Sequence, residues 1–342
     1  MTLAGKRSTN WFYGVDSIRF VLAFIVMLSH FDNVWAESLK NSAILPVKLA
    51  GAFLANAFDG TSAVIAFFII SGFVIHYPCK GGIAHVGRFW IRRFVRIIIP
   101  LALICIAGSA FNHPEKTVTW SLYCELIYYA IYPALLSINL SWKNKFILSW
   151  LVAAVFILVA AKHDIFALVR QTGIGYHGYY WQFGNYFTWI VGLPCWLLGV
   201  LIAENIDQAK EIKFSRLQGY RTLVFFVSCL CSVAKFHAHL SYIISMNLFA
   251  LLLYKWIEAE ISYYKNHSPY SSLERMGKFS YSLYLCHPLV FLLLKRWLII
   301  DNATYILFVV LTIVAAYLFY LVIEKPSHKL ARHINGLLFS TD

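Results

Sequence analysis

Acidic residues are scarce in this 342-residue chain: 16 Asp and Glu stand against 29 Lys and Arg, and charged residues of both signs make up only 13% of it. An ordinary soluble domain carries about a quarter of its residues charged. With 60% hydrophobic residues and a mean hydropathy of +0.66, a water-soluble fold would have almost nothing polar left to face water, so a bilayer is the better solvent. CxxC pairs are also missing. The seven cysteines are odd in number and mostly lie inside apolar runs, which excludes a disulfide framework and a zinc site and leaves them as small hydrophobes. No metal is expected. Nor does the formal charge of +13 point to nucleic acid, because the basic residues are spread through short intervals between apolar runs instead of forming one stripe. The first apolar run carries Arg19 and His30 and lacks a small-residue cleavage site, so it reads as a retained helix and not as a removable signal.

What is present is a series of ten apolar runs, at 16–34, 60–77, 92–110, 118–138, 146–161, 187–203, 221–237, 241–258, 279–297 and 303–324. A helix needs about 20 apolar residues to cross the hydrocarbon, fewer where flanking side chains snorkel. The chain is therefore expected to be an all-α integral membrane protein, a bundle of about ten transmembrane helices. Placing the N-terminus inside puts most of the 29 Lys and Arg residues on the cytoplasmic side, so both termini are expected there. Residues 1–342 read as a single domain with a helical core at about 14–330, without internal repeats and without an appended soluble domain.

Charges at bilayer depth are costly, which makes each intramembrane ionisable residue a functional candidate. Arg19 and His30 are eleven residues apart, three turns plus about 20°, so they share one face of the first helix about 16 Å apart along its axis. Asp16 shares that face. The plainer alternative is that Arg19 snorkels and His30 bonds a neighbouring helix. Trp120-Ser121-Leu122-Tyr123-Cys124-Glu125 opens the fourth run, which places Glu125 about 10 Å below the outer surface, at a depth comparable to His30. A carboxylate beside an imidazole would orient its tautomer; packing specificity for a buried Glu is the rival reading.

Arg88, Arg92, Arg93 and Arg96 edge the third run, and their forked guanidiniums suit phosphate oxygens, although inward-facing positive charge and anionic lipid explain such a cluster as well. Glu324, before Pro326, is a candidate partner holding one of these arginines. Ser71-Gly72 in the second run lets another backbone, or a thin ligand arm, come close. Ser280, Tyr284 and His287 form one polar stripe, with Pro288 expected to kink the helix and free a carbonyl. The connection 162–186, rich in Gly173, Gly175, Gly178, Tyr176, Tyr179, Tyr180 and Trp181, reads first as an interfacial aromatic belt and second as a sugar platform.

Taken together these motifs resemble the acyltransferase-3 family of integral membrane O-acyltransferases, the group that O-acetylates lipopolysaccharide O-antigen, exopolysaccharides and lipochitooligosaccharides. Gly14-Val15-Asp16-Ser17-Ile18-Arg19 followed by His30 is similar to its opening signature, Phe67 to Phe73 with Ser71-Gly72 to its second-helix motif, and Arg88 to Arg96 with Pro100 to its basic segment. Trp120-Ser121-Leu122 with Glu125 and Tyr128-Tyr129, Ser280 to Leu285 with His287, and Glu324 with Pro326 are similar to the later ones. Cys124 stands where the family often has an acidic residue, and Ser17 where it has a smaller one.

The resemblance implies transfer of an acetyl or other acyl group from acetyl-CoA to a hydroxyl of an envelope or extracellular glycan or lipid-linked sugar, in a bacterial inner (plasma) membrane. In that reading His30 is the general base and Glu125 its orienting partner. Arg19, Arg93, Arg96, Ser71 and Gly72 bind the cofactor, with Asp16, Trp120, Ser121, Tyr284, His287 and Glu324 in support. Partners are then acetyl-CoA, the sugar acceptor and membrane lipids; homo-oligomerisation is left open. A two-step route through an acyl-enzyme on His30 is equally writable, and a transporter or flippase for an anionic or acylated sugar is the alternative from another class.

Overall fold

A computed structural model describes residues 12–111, 116–172 and 179–339. Among them the chain is helical throughout. In chain order the elements are α1 (Val15–His30), α2 (Val34–Lys40), α3 (Leu45–Asn56), α4 (Gly60–His76), α5 (Val86–Ala110), α6 (Lys116–Ser137), α7 (Trp142–Ala160) and α8 (Lys162–Arg170). They continue with α9 (Gly184–Asn205), α10 (Phe214–His237), α11 (Tyr242–Tyr264), α12 (Ser271–Gly277), α13 (Ser280–Lys295), α14 (Tyr305–Phe319), a π turn (Tyr320–Glu324) and α15 (Lys325–Leu338). Each of the ten apolar runs coincides with a helix. Seven helical segments among the described residues are long and apolar enough to cross a membrane, or eight if α12 and α13, bent by 64° to one another, count as one span. That is fewer than the ten expected from sequence, and the shortfall has a physical cause. α1 has only 16 residues, and α6 carries Ser121, Glu125 and four tyrosines along its length; both give up apolar length to polar groups.

The segment Tyr305–Leu338 is continuous over 34 residues, about 51 Å at the helical rise against about 30 Å of hydrocarbon. It is broken where the sequence demands. Pro326 has no N–H to give the carbonyl of Val322 and its ring crowds that carbonyl, so the ladder widens into the π turn, where Lys325 N–H bonds Tyr320 O. By contrast α13 keeps its helical assignment through Pro288, and a bend of 64° lies before it, between Gly277 and Ser280.

Two glycines set the tightest packing. A Cβ on Gly72 would sit 2.0 Å from the carbonyl oxygen of Trp196, and one on Gly199 would sit 1.8 Å from that of Ile69, so α4 and α9 cross backbone to backbone. The small Ser71-Gly72 pair therefore divides its work, with Gly72 against α9.

The N-terminus of α1 is held from a distance. Gly14 N–H, Ser17 N–H and Ser17 Oγ–H all donate to Glu274 Oε1 of α12, at 2.9, 3.0 and 2.7 Å. Helix N-termini leave such N–H groups without intrahelical partners, and here a remote carboxylate satisfies them. Gly14 itself has φ 87°, and the Tyr264 ring fills the place a Cβ would take. The opening motif is thus first a docking device that fixes Arg19.

Candidate active site

One end of the bundle is basic. A cavity of about 150 Å³ opens between α1, α4, α5, α6, α13 and the π turn, lined by Arg19, Arg93, Arg96, Glu324 and His328 at this end. Arg19 meets Asp16 at 3.5 Å, Arg93 lies over the Phe89 ring at 5.8 Å, and Arg96 has no ion pair or hydrogen bond among the described residues. Arg93 and Arg19 both lie close enough to Arg96 for their charges to act on it, and so does the Glu324 carboxylate. Glu324, which the sequence suggested as the partner of an arginine, makes no ion pair with one within 4 Å among the described residues, although Arg19 and Arg96 are near enough for their charges to act on it. Its Oε2 accepts Ser282 N–H at 3.1 Å and Ser282 Oγ–H at 2.5 Å, and its Oε1 lies 3.7 Å from His328 Nε2. The π turn carries this carboxylate to the start of α13, where unpaired N–H groups take it up. Arg93 and Arg96 are left without an ion pair among the described residues, while Arg19 keeps Asp16.

Deeper in, Glu125 Oε1 accepts Ser71 Oγ–H at 2.9 Å and the Tyr129 hydroxyl. Trp196 Nε1–H donates to Ser71 Oγ at 3.3 Å, which ties the group to α9. Ser121 and Tyr284 hydroxyls meet at 2.6 Å, and Tyr284 OH donates to Val118 O at 3.0 Å. Trp120 is buried against Phe68 and Tyr180 and does not line the cavity. Gly72 does not line it either, for the reason given above. Tyr180 is a core residue whose OH donates to Val191 O at 2.8 Å, and Tyr179 stacks on Trp181; Gly173, Gly175, Tyr176 and Gly178 fall outside the described residues.

At the far end of α1 stands His30, and its partner is His287, not Glu125. His287 Nε2 and His30 Nδ1 are 3.2 Å apart, with ring centroids 4.9 Å apart. Two carbonyls settle the protons. His287 Nδ1 lies 3.1 Å from Leu283 O and His30 Nδ1 lies 2.8 Å from Val26 O. A carbonyl only accepts, so each Nδ1 carries its hydrogen in the neutral rings. His287 Nε2 then accepts from His30, and the Nε2 lone pair of His30 is left without a partner among the described residues. His30 is exposed while His287 is fully buried. Equal depth brought Glu125 and His30 together in the sequence reading, but depth says nothing of the direction a side chain takes around its helix; Glu125 shares its face with Tyr129 and turns to the cavity.

The cavity and the histidine pair are joined along α13. Tyr284 lines the first and its ring lies 6.3 Å from that of His287. Three participants escaped the sequence reading, Glu274, Trp196 and His328, and Ser282 was reached only as a member of the Ser280 to Leu285 motif. Only His328 had a legible signal, its place one turn after Glu324.

A family model described as an acyltransferase domain, that of the acyltransferase-3 family, matches residues 12–321 of the chain. Neither the curated proteins nor the solved structures give a match. The match takes in Arg19, Arg93 and Arg96 of the basic cavity and both residues of the histidine pair and ends before Glu324 and His328, and the chain belongs to the acyltransferase-3 family, a membrane acyltransferase.

Proposed function

We propose that the protein moves an acetyl group from acetyl-CoA to a hydroxyl of an envelope or extracellular glycan, or of a lipid-linked sugar, in a bacterial inner membrane. The observation that carries this reading is the free Nε2 lone pair of His30, fixed by the Val26 carbonyl and His287, at the opposite end of α1 from an arginine cavity. A space of about 150 Å³ is smaller than the roughly 300–1,000 Å³ of pockets that enclose a whole drug-sized ligand. It admits a slender thioester arm and leaves the nucleotide at the mouth, where Arg19, Arg93 and Arg96 would hold its phosphates.

In the transfer, His30 Nε2 takes the acceptor hydroxyl proton as the oxygen attacks the thioester carbonyl carbon. The new C–O bond forms, the C–S bond breaks, and the leaving thiolate recovers the proton from the imidazolium. His287 shares the positive charge while it lasts. Glu125, with Ser71 and Tyr129, belongs to the donor path.

Membranes containing the protein are expected to transfer radiolabel from acetyl-CoA to the glycan fraction. His30→Ala should end transfer while protein abundance stays unchanged; retained turnover removes His30 from the chemistry. Accumulation of unmodified sugar on one side of the membrane, without label transfer, would instead mark a transporter.

A further inference from the structure

The cavity contains one buried polar atom that the protein leaves unused. Ser280 is 0% exposed and lines the cavity, and its Oγ has no hydrogen-bond partner. Several other helical serines are satisfied within their helices or across them. Ser29 donates to Val26 O at 2.7 Å, Ser149 to Phe146 O at 2.8 Å, and Ser282, two residues on, to Glu324. Leaving a buried hydroxyl unpaired is costly, because its contact with water has been given up for nothing. Ser280 is the first residue of α13, a 16-residue helix, so no preceding turn of that helix offers it a carbonyl, and the positive end of the helix dipole lies there. The carboxylate at this end, Glu324, is already bound to Ser282 and beside His328. The two other orphaned atoms, Arg88 Nε and Asn335 Oδ1, lie where α5 meets α15 and do not line the cavity.

We infer that the Ser280 hydroxyl and the N-terminal end of α13 form a subsite for a phosphate oxygen of the acyl donor, completing the cradle begun by Arg19, Arg93 and Arg96. This rests on the reading of the arginine cavity as the donor site. Ser280 donates its hydroxyl hydrogen to the phosphate, and Arg96, unpaired in the free protein, turns its fork to the same group. A guanidinium cluster alone accepts an anion in many poses; a fixed hydroxyl at a helix end selects one. Ser280 is thus a positioning residue for the donor and leaves the proton transfer at His30 untouched.

The test uses the full chain in lipid nanodiscs with two probes, CoA and pantetheine, which share the arm and differ in the phosphates. Ser280→Ala removes an unpaired buried hydroxyl, so the ligand-free protein should melt at the same temperature or higher. Its Kd for CoA should rise about ten- to a hundredfold, the loss of one hydrogen bond to a charged group, and its Kd for pantetheine should not change. Ser280→Cys, which keeps the volume and weakens the donor, should move CoA binding the same way if the alanine form does not fold. A lowered melting temperature with unaltered CoA binding assigns Ser280 a structural role and overturns the inference. An equal loss of both probes moves the hydroxyl to the arm and also overturns it. Arg96→Gln separates the two levels: if it weakens CoA and Ser280→Ala does not, the subsite fails and the donor cavity stands. If neither variant weakens CoA, both fail.

Discussion

His30 has two ring nitrogens, and only Nδ1 is engaged. A base that must be neutral with its lone pair pointing outward needs its other nitrogen protonated and held, and the Val26 carbonyl and His287 do this together. His287 touches His30 and not the basic cavity, so its loss is expected to appear in kcat and not in the donor KM. His287→Ala should lower kcat by roughly tenfold or more, a part of the ~10²–10⁴ that a positioned base supplies, with the acetyl-CoA KM unchanged. Glu125→Gln should do the reverse. Its carboxylate organises Ser71 and Tyr129 along the donor path, so the donor KM should rise more than kcat falls. Steady-state kinetics of both variants over a range of acetyl-CoA checks the pair; a kcat loss confined to Glu125→Gln would return Glu125 to the side of His30.

Two helices that carry the site are capped by carboxylates from elsewhere in the chain: α1 by Glu274 and α13 by Glu324. A short, polar helix gains little from lipid and needs such ties to keep its register. Glu274→Ala leaves Gly14 N–H, Ser17 N–H and Ser17 Oγ without their acceptor. The expected loss is about 2 kcal/mol, in the range of a strong cap, read as a lower melting temperature in detergent, and activity should fall with it because Arg19 sits on the second turn of the released helix. Glu274→Gln, which can still accept, should recover most of both. The same contrast between short and long helices explains what could be read in advance. Every apolar run became a helix because composition alone decides that at bilayer depth, and Arg19, Arg93, Arg96 and Ser71 were reached from their place in those runs. The pairings were not legible. Whether Glu125 turns to His30 or to Tyr129, and whether Glu324 takes Arg96 or Ser282, depends on rotation and crossing of helices, which no periodicity encodes. Gly72 shows the limit well: a small residue announces close approach, and only the structure says that α9 is what approaches.

Across the whole molecule the polar groups are sorted into two ends. Arg19 and Lys278 stand by the starts of α1 and α13 and Glu324 at the end of the π turn, while His30, Asp32 and Lys295 stand at the opposite end, where Lys295 Nζ meets Asp32 at 2.6 Å. α1 and α13 run side by side in the same direction, as contacts at both ends require. The proposed transfer, with a donor drawn from one compartment and an acceptor met near the other, calls for this polarity. α14 with the π turn takes up about 30 Å, the hydrocarbon thickness, so α15 must leave the membrane core at Glu324. Its wheel agrees. Ser327, Ala331 and Asn335 face the protein, Lys325, Lys329 and Arg332 lie exposed on one flank, and exposed Pro326, Leu330 and Leu337 lie beside them, the arrangement of a helix lying in the headgroup layer. Single cysteines placed at Lys329 and at Lys295, in a chain whose seven native cysteines are replaced, should therefore be labelled by an impermeant thiol reagent from opposite sides. We propose that the termini are cytoplasmic, the side that the distribution of Lys and Arg favours; Lys329→Cys then reacts in inverted vesicles and Lys295→Cys in intact cells. Labelling of both from one side would mean that α13 does not cross, and the two ends of the site would then open to the same compartment.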